Sequence, residues 1–580
     1  MREIRTYGSE GGAPGEPGVP TPIQDPIFTV SAVPFALCMR SKKNCTLHAD
    51  SGHLMAAKNP QQYIDTTKLE SDLSGRSVRG GAWASIGQFG KSLLQILSTL
   101  ALARLLTPTD YGLVGMVVAV TGLLAMFKDM GLAMATVQRE DITHEQVSSL
   151  FWINVALGFA VTVVAAGSAW ILAWIYAEPL LVGITLGLSI AFAFSGLTVQ
   201  HEALMRRQMK FGQLAMLQVI ALFISLVVAV ALAWNGWAYW ALVAQSVVFA
   251  VANCVGVWIA CGWRPSRPAW AKGLDEMIKF GLNLTGFSFV NYFARNLDDA
   301  LIGRFHGAAE LGLYRQAYEI FKVPLSQINQ PVSKVAIPAL SRLIGEPERY
   351  RRSYKRILEK LLLITMPLGA VLIVCADWII LLILGEQWEA AAPIFAMLGI
   401  SIFAQAIGNT TGWLFISQDR TGEMFRWGFI GAGTAIASFL IGLPWGAVGV
   451  ALAYSVVGIC VRTPWLLWYV GRRGPVRTID FYLSAWPAAL TAVGVGGALF
   501  GFRQVTDIAH PALNLAASIP LALVSALAIL VILPRGREIM ADGFVLLQHL
   551  RRAKDDDEVD AVDAVVTGDE DGTTAKKDGN

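Results

Sequence analysis

Between Val78 and about residue 533 the chain alternates long apolar stretches with short polar ones at near-regular intervals. Each apolar stretch is about 20 residues long, enough as a helix to cross a hydrocarbon core of about 30 Å. The pattern predicts fourteen membrane-spanning helices. They lie near 81–103, 111–131, 148–175, 180–203, 213–234, 238–261, 277–303, 311–341, 361–384, 390–413, 425–443, 446–470, 482–502 and 512–533. The seventh and eighth carry the most polar residues and would escape a hydropathy scan.

The connections test that count independently. Alternate ones are basic: Arg206, Arg207 and Lys210; Arg264, Arg267 and Lys272; the stretch 342–360; Arg420 and Arg426; Arg472, Arg473 and Arg477; Arg535 and Arg537. Those between them hold little more than Arg104, Arg304 and Arg503. Lys and Arg collect on the cytoplasmic side of a membrane, so the alternation places both termini in the cytoplasm. One missed span would scramble it.

Composition then excludes a chain of soluble domains, which 580 residues would otherwise suggest. Hydrophobic residues make up 54% and charged residues 15%, against about 25% charged in globular proteins. Mean hydropathy is +0.51. The chain reads as an all-α polytopic membrane protein. Forty-six Lys and Arg against 43 Asp and Glu leave a net charge of +3, which gives no basis for nucleic-acid binding. The six cysteines show no CxxC and no metal-ligand spacing. A GxxxxGK[ST] loop is absent, so neither a nucleotide nor any other cofactor is expected.

Two flanks differ from the rest. Residues 1–75 read as a disordered leader or as the product of a wrongly chosen start, with Met55 as an alternative. The tail 536–580, with its run Asp555–Glu558, reads as an acidic cytoplasmic segment. Residues 346–360 (EPERYRRSYKRILEK) form a basic amphipathic stretch suited to a membrane surface and anionic headgroups.

An internal repeat divides what lies between. RLLTPTDYGL (104–113) lies over RFHGAAELGL (304–313) at a spacing of 200 residues without gaps. Each copy sits at the outer end of an outward-going span. Two pseudo-symmetric six-helix lobes are expected, at 76–262 and 263–475, with two further helices at 476–535.

Ionisable groups inside a bilayer are costly and usually face cavities or partners. On the first span Gln88, Lys91, Ser92 and Gln95 fall on one helical face. On the seventh, Asn291, Arg295, Asp298 and Asp299 share a face, with Arg295 and Asp299 spaced for an i,i+4 contact. On the eighth, Arg315, Glu319 and Lys322 align, followed by Gln327, while Pro324, Pro331 and Pro338 predict a broken or kinked helix. These groups suit cargo binding or, equally, structural pairs between helices. Gln405 and Asn409 suit interhelical hydrogen bonds.

Four segments carry a resemblance: RLLTPTDYGLVGM (104–116), NLDDALIGRFHGAAELGLYRQAYEI (296–320), QPVSKVAIPALSRL (330–343) and ILGEQWEAAAPIF (383–395). In order and spacing they resemble the Wzx-type polysaccharide transporters of the multidrug/oligosaccharidyl-lipid/polysaccharide exporter superfamily, over about residues 76–535. The resemblance implies two six-helix lobes plus two helices, in the bacterial cytoplasmic membrane. It implies a flippase, not an enzyme, that moves undecaprenyl-diphosphate-linked oligosaccharide for exopolysaccharide, capsule or O-antigen assembly by alternating access. Its partners would be that lipid-linked oligosaccharide, membrane lipids and other polysaccharide assembly proteins.

On that reading Lys91, Ser92, Gln95, Asn291, Arg295, Arg315, Lys322 and Gln327 are candidates for cargo binding. Cations suit diphosphate, and amides and hydroxyls suit sugar. Asp298, Asp299 and Glu319 are candidates for ion coupling or ion pairing. Two other functions compete: a multidrug or cation antiporter of the same superfamily, which the acids would serve, and a membrane glycan polymerase, which would need a long outer loop.

Overall fold

The computed structural model describes residues 73–128, 131–139, 141–269, 274–506 and 510–538. The expected leader lies outside the described residues, as does the tail beyond residue 538. All regular structure among the described residues is helical. In chain order it comprises α1 (Leu73–Leu105), α2 (Pro108–Ala125), the short α3 (Leu132–Gln138), α4 (His144–Gly167), α5 (Ala169–Tyr176), α6 (Leu180–Arg207), α7 (Phe211–Trp234) and α8 (Trp240–Cys261). There follow α9 (Leu274–Arg342), α10 (Pro347–Val374), α11 (Ala376–Ile383), α12 (Ala391–Ser417), α13 (Thr421–Gly442), α14 (Gly446–Val457), α15 (Thr463–Gly471), α16 (Thr478–Val505) and α17 (Pro511–Ile532).

The 69 residues of α9 are two helices run together, 274–306 and 308–342. Gly307 separates them with φ 86° and ψ −178°, a backbone region that only glycine enters without strain. The break therefore falls between the seventh and eighth predicted spans. Pro324, Pro331 and Pro338 do not break the second arm, since the one non-helical residue of α9 is Gly307, ahead of it. Of the broken or kinked helix expected at these prolines, the break does not occur.

Ten helical stretches among the described residues are long and apolar enough to cross a bilayer. The fourteen expected is not reached by that measure, for identifiable reasons. Both α1 and α9 are too polar to qualify, and Thr421–Gly471 is taken as a single stretch of 51 residues although Leu443–Trp445 divides it. The outer surface agrees with a membrane setting. Large apolar side chains such as Phe159, Trp174, Trp234, Ile259 and Val493 are well exposed along these helices, far beyond what a water-facing surface tolerates. The chain is a multi-pass membrane protein.

Contacts sort the helix ends into two sets. At one end, Arg351 at the start of α10 pairs with Asp480 at the start of α16, and Tyr350 meets Ser417 at the end of α12. Arg420 there binds the carbonyl of Val470, in the last turn of α15, and that of Arg473 just beyond it. In the first half, Arg207 at the end of α6 binds the carbonyls of Thr136 and Arg139, and Trp263 after α8 donates to His144 at the start of α4. These are the basic connections of the sequence.

At the opposite end the α1–α2 turn meets the second half. Thr107 and Asp110 cap α2 reciprocally, with Pro108 in the first turn. The last carbonyls of α1 have no partner within their own helix. Trp388 donates to the Ala103 carbonyl at 2.7 Å, and Gln387 binds both Ala103 and, at 3.1 Å, Leu106. Arg104 in turn reaches the Leu382 carbonyl at 3.2 Å. Glu310 supplies the corresponding service to α14, accepting from the Ala447 amide at 2.8 Å.

The tightest packing in this region is between α2 and the second arm of α9. A β-carbon on Gly112 would overlap the Ala308 carbonyl, and one on Gly312 would overlap the Pro108 carbonyl. Both pairs obey the spacing of 200: position 112 meets 308 while 312 meets 108. Such an exchange of partners is what a two-fold relation between repeats requires. Gly115 completes it, because it meets its own counterpart, Arg315, whose guanidinium donates to the Gly115 carbonyl at 3.2 Å.

Two predictions follow from this contact. Gly112→Val and Gly312→Val should each destabilise the protein by about 1–3 kcal/mol through overpacking, read as a lower unfolding temperature. The double variant should lose less than the sum, since separating the two backbones once relieves both clashes. Fully additive losses would show that the contacts are independent.

Candidate functional site

Among the described residues, two cavities that share no lining residue hold the candidate polar side chains. The first, of about 440 Å³, lies wholly within the first half. Its polar wall includes Lys91 of α1, Thr198, Glu202 and Arg206 of α6, Gln218 of α7 and Asn253 of α8. The position of Lys91 follows from helix packing. Gly87, one turn earlier on the same face, has no side chain to hold α1 away from Ala215 of α7.

Glu202 accepts from the Asn253 amide at 3.0 Å and pairs with Arg206 at 3.2 Å. Its carboxylate is thus committed. Lys91 has no ion-pair partner among the described residues and presents an ammonium to the cavity. With two cations against one committed carboxylate, the cavity favours an anion. Of the neighbours expected to accompany Lys91, Ser92 is half-buried, while Gln88 and Gln95 are exposed and outside this wall.

The second cavity, about 200 Å³, lies against α9 and is lined by Asn296, Asp298, Asp299, Tyr314, Arg315, Tyr318, Glu319 and Lys322. Asp299 pairs with Arg315 at 3.0 Å across the two arms of α9. The same guanidinium holds the Gly115 carbonyl, so one side chain ties both arms of α9 to α2. Asp298 is buried and accepts from the Tyr314 hydroxyl at 2.7 Å; its other oxygen has no partner. Glu319 and Lys322, both half-exposed, pair at 2.8 Å.

The five charged candidates Asp298, Asp299, Arg315, Glu319 and Lys322 therefore come together, but apart from Lys91. The side chains of Asn291 and Arg295 lie outside the described residues, and with them the expected Arg295–Asp299 contact. The partner of Asp299 found here is Arg315, 16 residues away along the chain and invisible to i,i+4 reasoning. Gln327 is exposed and lines neither cavity. Gln405 corrects another expectation: it donates to Ser401 of its own helix at 2.8 Å, not to a neighbour. Glu202, Arg206 and Asn253 were missed from sequence. Glu202 and Arg206 sit at the basic end of a span, where such groups ordinarily snorkel into water; their i,i+4 spacing was the available signal.

Residues 101–393, which include the α1–α2 turn, both arms of α9 and the Gln387–Trp388 contacts, match the family described as polysaccharide biosynthesis protein. The chain belongs to that family. Among its relatives is the teichuronic acid biosynthesis protein TuaB of Bacillus subtilis (strain 168), 27% identical over 438 residues, which cover 74% of this chain and 89% of TuaB. Another is the lipopolysaccharide biosynthesis protein WzxC of Escherichia coli (strain K12), 25% identical over 394 residues, covering 67% of this chain and 79% of WzxC. In fold the chain resembles the solved lipid II flippase MurJ in an inward closed conformation. The TM-score is 0.63 at 15% identity, over 77% of this chain and 97% of that one. The Wzx-type resemblance read from the four sequence segments agrees with these matches.

The Arg315–Asp299 pair is open to a double-mutant cycle. Asp299→Asn should cost up to about 3 kcal/mol by leaving a half-buried guanidinium unpaired. Removing both charges should recover most of that loss in thermal unfolding of the purified protein. Additive losses would show that the pair does not hold the helices together.

Proposed function

We propose that this protein is a flippase that moves lipid-linked oligosaccharide across the bacterial cytoplasmic membrane by alternating access. Undecaprenyl diphosphate is the proposed carrier, and exopolysaccharide, capsule or O-antigen the proposed product. The reading is carried by family membership over residues 101–393 and, separately, by an unpaired Lys91 ammonium, which precedes that region, on the wall of a cavity. A diphosphate linked to sugar cannot enter hydrocarbon unaided. It needs cations for the phosphates and hydroxyl or amide groups for the glycan, and Lys91, Thr198, Gln218 and Asn253 supply those types.

The proposed domain arrangement follows the sequence: lobes at 76–262 and 263–475, and two added helices at 476–535. Reciprocal packing of Gly112 and Gly312 supports a two-fold relation between the lobes. The basic connections, gathered at one end, support cytoplasmic termini by the positive-inside rule. Asp298, Asp299 and Glu319 are proposed to serve coupling or ion pairing, with Arg315 as the counter-charge of Asp299 and Lys322 that of Glu319.

Neither competing function has equal support. A drug or cation antiporter would want uncommitted acids in its cavity, but Glu202 is held by Arg206 and Asn253. A glycan polymerase would want a substantial catalytic loop at the end opposite the basic connections. The connections there, such as 106–107, 177–179 and 443–445, are a few residues long. Transport without catalysis is the proposed role.

Loss of the protein should cause lipid-linked oligosaccharide to accumulate on the inner leaflet. Unchanged distribution, together with altered drug sensitivity, would favour the antiporter. Lys91→Ala should abolish glycan export at near-normal abundance, and Lys91→Arg should retain part of it. Full export by Lys91→Ala would remove Lys91 from the cargo site.

A further inference from the structure

A third cavity lies at the end that carries the basic connections and shares no residue with the two above. Of about 510 Å³, it is formed by the first turns of α10 and the segment just beyond α17. Five cations, Arg351, Arg352, Lys355, Arg356 and Arg535, line it together with Glu348, Glu359 and Glu538. Two of the cations are structural. Arg351 is held bidentately by Asp480 at 2.7 and 2.8 Å, and Arg535 by Glu359 at 2.8 Å. Those pairs fix α10 to α16 and to the end of α17.

Arg352 and Lys355 are different. Arg352 is exposed and has no ion-pair partner among the described residues. The Lys355 ammonium lies 3.8 Å from Asp480, beyond hydrogen-bond reach. One turn apart, the two present unused N–H donors to the same cavity. A tetrahedral oxyanion with several acceptors matches that donor set; guanidinium and phosphate suit each other in charge and geometry.

The surroundings indicate where such an anion comes from. Beside the cavity the surface turns apolar at once: Ile479 and Leu483 of α16 flank Asp480, and Val531 and Ile532 of α17 lie just before Arg535, all of them exposed. From its charged first turns α10 continues as one helix into the apolar segment. Cations at a helix end above an exposed apolar wall make the arrangement of a lipid site, with phosphate at the polar edge and acyl chains below.

We propose that this cavity binds the anionic, phosphate-bearing headgroup of a membrane lipid, with Arg352 and Lys355 as its phosphate ligands. By the positive-inside orientation that lipid belongs to the cytoplasmic leaflet. The proposal does not depend on which cargo is flipped, and binding reads it separately from transport.

The test is native mass spectrometry of the purified full-length chain titrated with dioleoylphosphatidylglycerol, dioleoylglycerol and inorganic phosphate in parallel. The phosphatidylglycerol adduct should form, and Arg352→Ala/Lys355→Ala should weaken it on the order of tenfold. Arg342→Ala, an exposed cation outside the cavity, should leave it unchanged. Dioleoylglycerol, which lacks the phosphate, and inorganic phosphate, which lacks the lipid, should each bind no better than the double variant binds phosphatidylglycerol. Should the double variant fail to fold, Arg352→Ala alone changes an exposed side chain and should still weaken the adduct severalfold. Native affinity in these variants would overturn the proposal. Inorganic phosphate binding as tightly as the lipid would make this a free-anion site. Phosphatidylglycerol binding only after truncation beyond Lys554 would assign the cavity to the acidic run Asp555–Glu558 and overturn it too.

Discussion

Two helix backbones approach closely only where a side chain is missing, and the meeting of α2 with the second arm of α9 depends on that condition. Gly112 and Gly312 each face a carbonyl of the other helix with no room for a β-carbon. In hydrocarbon there is little hydrophobic gain from bringing one apolar helix against another, so close van der Waals contact between small residues has to drive association. The surrounding contacts follow from this approach. It brings Arg315 within reach of Gly115, and in the same region Trp388 and Gln387 reach the last carbonyls of α1.

The same constraint explains how charge is tolerated. A lone ion in a bilayer is expensive, and several ionisable groups within the helices are held by a partner. Asp299 has Arg315, Glu202 has Arg206 and Asn253, and Glu319 has Lys322. Lys91 stands apart because its environment is a cavity and not a partner. The functional proposal places the cargo phosphate where the protein leaves its own positive charge uncompensated. Arg352 and Lys355 repeat that logic at the membrane edge, where an apolar wall lies beneath the charge.

The segments that resemble Wzx-type transporters acquire a physical meaning. Thr107, Asp110 and Gly112 of the first, Gly307, Glu310 and Gly312 of the second, and Gln387 and Trp388 of the fourth all lie at one end of the helical region. They cap helices, break α9 and admit the close approach. These residues maintain the scaffold, while Lys91 and its cavity lie apart from them. Resemblance to the family therefore speaks first to architecture and only indirectly to the identity of the cargo.

Apolar periodicity and basic connections determined the all-helical class and the approximate helix limits, and the spacing of 200 residues pointed to the reciprocal contact of Gly112 and Gly312. Each is a local or strictly periodic property, and bilayer thickness converts it directly into structure. Sequence also singled out Gly112, Gly312, Lys91 and the charges of α9. It did not determine which charge meets which. Asp299 finds Arg315 because Gly307 folds α9 back on itself, a pairing set by the return angle of two helices and not by helical spacing. It left open whether the prolines of α9 break the helix, which stays helical through all three, and assigned Gln405 to a neighbouring helix when Ser401 of its own lies one turn away. Glu202 and Asn253 share a cavity with Lys91 only because α6 and α8 pack side by side. Tertiary packing decided those partners, since in a low-dielectric interior a charge takes the compensating group that the fold brings within reach, wherever that group lies in the chain.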